Sequence, residues 1–127
     1  METLHLDASQ YTPEITLDAA KGDISLRGKS YPENTFEFYQ PVMEWMEHYF
    51  AGETAERTTV TMEIIYFNSS SSKLFFDFFD LLEEASQAGK TVAVNWVYDA
   101  ENESALEAGE DFKEDFEALT INLVAKA

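Results

Sequence analysis

The chain has 127 residues and a formal net charge of −17, which comes from 25 acidic and 8 basic residues. That length predicts one compact domain over residues 1–127. The negative charge disfavours binding to nucleic acid, and no apolar run reaches the ~20 residues that membrane insertion needs. The absence of cysteine excludes thiolate metal ligands and thiol nucleophiles. The N-terminus does not resemble a signal peptide, so we expect a cytoplasmic protein.

The N-terminal third predicts a β-hairpin. Apolar and polar residues alternate over residues 14–17 and 24–26, and a glycine-containing turn separates the two runs. Leu4 and Leu6 alternate in the same way, but the pattern breaks at residues 11–13. We therefore assign only the two later runs to the hairpin and expect a loop over residues 27–33.

A first helix is expected to begin after Asn34. Asn34 has the character of an N-cap, and Glu37 three residues later completes a capping box. Apolar residues then recur at helical spacing as far as Phe50. Pro41 lies inside this pattern and predicts either a kink or a restart of the helix, because proline has no N–H to donate.

The second half of the chain alternates strands with helices. Residues 58–67 predict a buried central strand, residues 74–88 a helix that ends at Gly89, and residues 91–98 another strand. The acidic residues 99–115 are expected to be partly helical, and a short strand around Ile121 ends the chain. This order predicts an α/β fold, in which a mixed sheet packs against about three helices.

The run Asn-Ser-Ser-Ser-Ser-Lys at residues 68–73 connects the central strand to the second helix. Its four hydroxyls stand where the first N–H groups of a helix lack intrahelical partners. Such a helix start stabilises an anion through its free donors and its dipole, which favours phosphorylation of one serine. An ordinary N-cap explains one serine equally well. The residues alone leave both interpretations open.

No constellation of catalytic residues stands out. The chain lacks a Gly-x-Ser-x-Gly elbow, and neither His5 nor His48 has a recognisable partner. The acidic residues 99–111 lack the glycine of a calcium loop, and residues 27–30 lack the spaced glycine of a phosphate-binding loop. We therefore expect no catalytic residue, metal or cofactor. A regulatory adaptor is favoured over a small-molecule-binding or hydrolytic domain.

Phe76 is a separate feature of the second helix. On a helical wheel it lies between Asp80 and Glu83, nearly opposite the apolar face. A single exposed aromatic residue is normal on a protein surface, but one surrounded by charge is also typical of a binding hot spot. On the second interpretation Phe76, Asp77, Asp80 and Glu83 are candidates for contact with a partner protein.

Five short blocks occur in a characteristic order. They are Thr-Pro-Glu-Ile at 12–15, Ser-Tyr-Pro-Glu-Asn at 30–34, Tyr-Phe-Asn-Ser-Ser-Ser at 66–71, Asp-Leu-Leu-Glu-Glu-Ala at 80–85 and Trp-Val-Tyr-Asp at 96–99. Together they resemble the SiaC family of bacterial regulatory phosphoproteins over about residues 12–116. The resemblance implies a single SiaC-like domain with a STAS-like fold, similar to that of anti-anti-sigma factors.

The resemblance also implies a function. A SiaB-like kinase would phosphorylate the turn, and a SiaA-like phosphatase of the PP2C type would reverse this. The unphosphorylated form would bind and activate a SiaD-like diguanylate cyclase, which promotes cyclic-di-GMP synthesis and biofilm formation. A partner switch that acts on another kinase, as an anti-sigma-factor antagonist does, is the alternative.

The resemblance implies one phosphoacceptor among the four serines. In the family a threonine usually follows the asparagine of this turn, and Ser69 holds that position here. Ser70, Ser71 and Ser72 are the alternatives. Asn68 and Lys73 flank the run, and the positive charge of Lys73 is suited to pairing with a phosphate.

Overall fold

The computed structural model describes residues 1–126, which form six strands and three helices. In chain order these are β1 Leu4–Leu6, β2 Glu14–Asp18, β3 Asp23–Ser30, α1 Thr35–Ala51, β4 Thr58–Phe67, α2 Ser69–Gln87, β5 Val92–Asp99, α3 Glu103–Asp115 and β6 Thr120–Lys126. The strands form a single sheet in the order β1-β2-β3-β4-β5-β6. The predicted mixed α/β architecture is therefore confirmed.

The direction of the strands determines where the helices lie. β1, β2 and β3 pair antiparallel, whereas β3, β4, β5 and β6 pair parallel. A helix connects the two strands of each parallel pair. Each connection leads to the next strand on the same side of the sheet order, and because such connections are right-handed, all three helices lie on one face of the sheet. The opposite face of the sheet is left without a helical layer. A row of small polar side chains runs across it: Thr16, Ser25, Thr61, Asn95 and Asn122.

The core lies between the sheet and its helical layer. Strand residues that point toward the helices are buried, among them Val60, Met62 and Trp96. They meet the apolar side of α2, where Phe75 and Phe79 are fully buried. Burial of such large side chains is worth about 1.5–3 kcal/mol each, so this layer supplies most of the driving force for folding.

Two strand predictions were wrong. The pattern at Leu4 and Leu6 forms a real strand, because β1 pairs with β2 and extends the sheet by one strand beyond the predicted hairpin. A loop was expected over residues 27–33, but β3 continues to Ser30 and pairs with β4 up to that residue. The register of this pairing shifts between Gly28 and Lys29. Arg27 and Lys29 obscured this strand because they point to solvent from the open face.

The helix boundaries also differ from the predictions. α2 begins at Ser69 rather than near residue 74, so the serines form its first turn instead of preceding it. α1 runs through Pro41 as one helix, which rules out the predicted restart there. The predicted N-cap is confirmed, because the Glu37 N–H donates to Asn34 Oδ1 over 3.4 Å. The reciprocal bond differs from that of a capping box: Glu37 Oε2 accepts from the side-chain Nδ2 of Asn34 over 2.6 Å, not from its backbone N–H.

Gly109 brings α3 unusually close to the sheet. A Cβ at this position would lie 2.5 Å from Cδ1 of Trp96 and 2.8 Å from Cδ2 of Leu123. The indole of Trp96 cannot easily move away, because it is fully buried and its Nε1 donates to the Ala105 carbonyl over 2.9 Å.

We expect Gly109→Ala to lower the free energy of unfolding by about 1–3 kcal/mol through overpacking. Gly52→Ala is the matched control, because a Cβ there would meet its nearest neighbour, the His48 carbonyl oxygen, at an ordinary 3.6 Å. Urea denaturation of both variants tests the comparison. Equal midpoints for Gly109→Ala and the wild type would show that α3 can shift to accept the methyl group.

Candidate functional site

The serine run lies at the carboxyl edge of the sheet, between β4 and α2. Asn68 is the N-cap of α2, and its Oδ1 accepts a hydrogen bond of 2.9 Å from the Ser71 N–H. Its carbonyl accepts from the Ser72 N–H, also over 2.9 Å. Capping of the helix therefore relies on an asparagine, and no serine side chain is needed for it.

The four hydroxyls have different environments. Ser69 and Ser70 are exposed and Ser72 is half-buried, but Ser71 has no solvent exposure. The Ser71 hydroxyl donates to the Ser30 carbonyl over 2.9 Å and lies 2.8 Å from the Ser30 hydroxyl. A kinase could reach Ser71 only if this turn opened, so the accessible candidates are Ser69, Ser70 and Ser72.

Ser69 is the first residue of α2, where the backbone offers free donors. Within residues 1–126 the N–H groups of Ser69 and Ser70 have no hydrogen-bond acceptor. The first turn of α2 also carries no acidic side chain among these residues. Lys73 is exposed one helical turn after Ser69, at the spacing that brings two side chains together. An anion at Ser69 would thus meet favourable electrostatics.

A buried chain of hydroxyls holds this turn in place. Ser30 Oγ lies 2.6 Å from Tyr39 Oη and 2.8 Å from Ser71 Oγ, so one hydroxyl joins β3 to both α1 and α2. The Ser30 carbonyl also accepts from the Asn68 N–H over 3.1 Å. Ser30 and Tyr39 were not among the predicted site residues, because Ser30 fell in the expected loop and Tyr39 was not counted on the apolar side of α1.

Phe76 lies on the side of α2 that faces α3. It is 43% exposed, yet its ring centroid is 5.6 Å from that of Phe112 and 5.5 Å from that of Phe116. It lines a groove of about 400 Å³ between the two helices, together with Ser72 and acidic residues of α3 such as Asp111. Phe76 is therefore the exposed margin of an aromatic cluster rather than an isolated surface residue.

The other three partner candidates lie elsewhere. Asp77 and Asp80 line a groove of about 640 Å³ between α1 and α2, which has apolar residues at its base and four carboxylates around it. Those carboxylates belong to Glu47, Asp77, Asp80 and Glu84. The Glu83 carboxylate accepts a 3.1 Å hydrogen bond from the Ala118 N–H, so it fixes the connection between α3 and β6. The four candidates do not form one patch.

Among residues 1–126 no group of three or more His, Asp or Glu side chains is placed to hold a metal ion. Over the same residues no helix is both long and apolar enough to cross a membrane.

Three solved structures of a known protein share this fold. A solved structure of SiaC of Pseudomonas aeruginosa matches with a TM-score of 0.89 at 36% identity, over 99% of this chain and 100% of that one. The structure of apo-SiaC from the same organism matches with a TM-score of 0.83 at 34% identity, over the full length of both chains. A third structure, of the diguanylate cyclase SiaD in complex with its activator SiaC, matches with a TM-score of 0.89 at 38% identity, over 97% of this chain and 99% of that one.

The sequence comparisons agree with the structures. A protein of Pseudomonas aeruginosa strain UCBPP-PA14 whose name gives no function is 40% identical over 115 residues, which are 91% of this chain and 90% of that protein. Fold and sequence together define a regulatory protein rather than an enzyme. The model of the SiaC family regulatory phosphoproteins matches residues 6–126, and the chain belongs to this family.

The buried hydroxyl of Tyr39 is expected to make the free energy of unfolding depend on pH. Burial raises the pKa of Tyr39 to about 12 from 10.0, and the hydrogen bond with Ser30 opposes that rise only in part. A tyrosine with a raised pKa in the folded state contributes stability below pH 10, and this contribution is lost as the pH rises toward 12.

We therefore expect the wild type to lose stability more steeply than Tyr39→Phe between pH 10 and pH 12, by up to about 3 kcal/mol. Chemical denaturation of both proteins across this range measures the difference. All other ionisable groups are common to both proteins, so the comparison isolates Tyr39. Parallel pH profiles would contradict the raised pKa.

Proposed function

We propose that this protein is a phosphorylation-controlled adaptor that binds and activates a diguanylate cyclase. Family membership and the known complex of SiaD with its activator SiaC support the cyclase as the partner. The observation that supports the switch is the exposed hydroxyl of Ser69 at the start of α2, beside two backbone N–H groups that have no acceptor among residues 1–126. The chain acts as one domain in the cytoplasm.

Two further proteins complete the proposal. A partner kinase transfers a phosphoryl group to the Ser69 hydroxyl, and a phosphatase of the PP2C type removes it. Phosphorylation weakens cyclase binding and lowers cyclic-di-GMP synthesis. Ser70 and Ser72 are the accessible alternatives as acceptor, while burial protects Ser71.

The switch has opposite effects on the free protein and on its complex. Phosphorylation adds about −1.5 to −2 charges at Ser69. In the free protein the N–H groups of α2 and the Lys73 ammonium stabilise this charge. In the complex the phosphate would be buried at the interface and would lose its hydration, and this desolvation opposes binding. A coupling free energy of about 1–3 kcal/mol would weaken binding roughly 5- to 150-fold.

The groove beside Phe76 is the proposed docking surface. Ser72 lines this groove and belongs to the serine run, so the phosphorylation site and the aromatic surface are continuous. Phe76 provides the apolar anchor, and acidic residues such as Asp111 surround it. Asp77 and Asp80, on the α1 side of α2, extend the negative surface toward a basic partner.

The first test concerns Ser69. We expect Ser69→Ala to bind the cyclase as the wild type does and Ser69→Asp to bind at least about fivefold more weakly. Calorimetric titration and the rate of cyclic-di-GMP synthesis measure binding and activation. Ser104→Asp is the matched control, because it adds the same charge to the exposed start of α3. Equal affinity of Ser69→Ala and Ser69→Asp would exclude Ser69 as the switch.

The second test concerns the groove. We expect Phe76→Glu to weaken cyclase binding at least about tenfold, since it places a charge on an apolar contact. It should lower the free energy of unfolding only modestly, by about 1 kcal/mol, through the lost contacts with Phe112 and Phe116. Val124→Glu is the control, because Val124 is similarly exposed, at 40%, on β6. A large loss of stability with normal binding would assign Phe76 to the core instead.

A further inference from the structure

Three tyrosines form an exposed cluster where β3 and β4 end. The ring centroids of Tyr11 and Tyr31 are 5.2 Å apart, those of Tyr31 and Tyr66 are 5.6 Å apart, and both pairs meet edge to face. Tyr11 is 50% exposed and Tyr66 is 55% exposed. The Tyr31 N–H donates to the Tyr11 carbonyl over 2.8 Å, so the backbone ties the two loops together. The cluster is therefore an ordered aromatic surface in contact with water.

A carboxylate stands beside these rings. Tyr11, Tyr31 and Glu33 line a cavity of about 320 Å³. Within residues 1–126 the Glu33 carboxylate forms no hydrogen bond and no ion pair. The face of an aromatic ring carries negative charge density, so the rings and the carboxylate attract the same kind of ligand.

We propose that this cavity, lined by Tyr11, Tyr31 and Glu33, binds the guanidinium group of an arginine on a partner protein. The planar guanidinium stacks on a tyrosine ring while its forked N–H donors bind the carboxylate of Glu33. A lysine ammonium is more strongly hydrated and cannot form both contacts as well. The net charge of −17 attracts a basic partner toward this surface.

Arg27 and Lys29, two basic residues that precede Tyr31 in the sequence, do not line the cavity. Arg27 is already paired with Glu63, with 2.9 Å between Nη1 and Oε1. Lys29 lies opposite Tyr66 in the register of β3 and β4 and does not line the cavity. The cluster is also distinct from both helical grooves. The proposal does not depend on cyclase binding.

The test is an NMR titration of the intact protein with tyrosine rings labelled with ¹³C. The probe is the peptide acetyl-Gly-Arg-Gly-amide, and the matched control replaces arginine with citrulline, which has the same shape without the charge. We expect the arginine peptide to shift the ring signals of Tyr11 and Tyr31. The signals of Tyr39 and Tyr49, which are buried, and of Tyr98 on β5 should remain in place and report an unchanged fold.

Variants assign the effect to the proposed groups. Glu33→Gln keeps the size of the side chain and removes its charge, so it should weaken binding about two- to fivefold. Tyr31→Leu should weaken it at least as much, and a lysine peptide should bind less tightly than the arginine peptide. Equal shifts with citrulline, or unchanged affinity in Glu33→Gln, would overturn the proposal.

A second copy of this chain is the alternative occupant. Analytical ultracentrifugation of the wild type and of Tyr31→Leu distinguishes it from an arginine-bearing partner. We expect both proteins to sediment as monomers. A dimer that Tyr31→Leu dissociates would mean that the tyrosine surface serves self-association, and it would overturn the proposal.

Discussion

The buried hydroxyl of Ser30 is the contact on which the proposed switch depends. It joins Tyr39 on α1 to Ser71 on α2, while the carbonyl of the same residue holds the N–H of Asn68. These groups have lost contact with water, so each hydrogen bond that is removed leaves a polar group unsatisfied at a cost of about 1–3 kcal/mol. The position of Ser69 is thus set by a polar network beneath it, and the exposed serines themselves contribute little to that position.

The order of the strands explains why the proposed sites lie at one end of the sheet. Four parallel strands in sequence direct their carboxyl ends the same way, so the serine turn and the loop that carries Tyr31 and Glu33 lie at the same end of the sheet. Helices on one face leave grooves on both sides of α2, one toward α1 and one toward α3. A partner that contacts α2 therefore meets two different surfaces, one aromatic and one mainly acidic.

Local sequence signals determined much of this fold. Alternation revealed the hairpin and the buried strand β4, and the capping residues Asn34 and Glu37 located α1. Contacts between distant residues determined the rest. Three residues are too few to identify β1 before its pairing with β2 is known, and nothing local shows that Ser71 is buried while Ser70 is exposed. The separation of Phe76 from Asp77 into different grooves likewise depends on where α1 and α3 pack.

The residue that caps α2, Asn68, is different from the residue proposed to be phosphorylated, Ser69. Because Asn68 accepts from the Ser71 N–H and caps the helix, the hydroxyl of Ser69 is not needed for the cap, and it forms no hydrogen bond within residues 1–126. On the proposed switch, a phosphate would be added or removed there while the backbone keeps one conformation. The response time of the proposed switch would then depend on the rates of the kinase and the phosphatase, because no slow refolding step would separate phosphorylation from the change in cyclase binding.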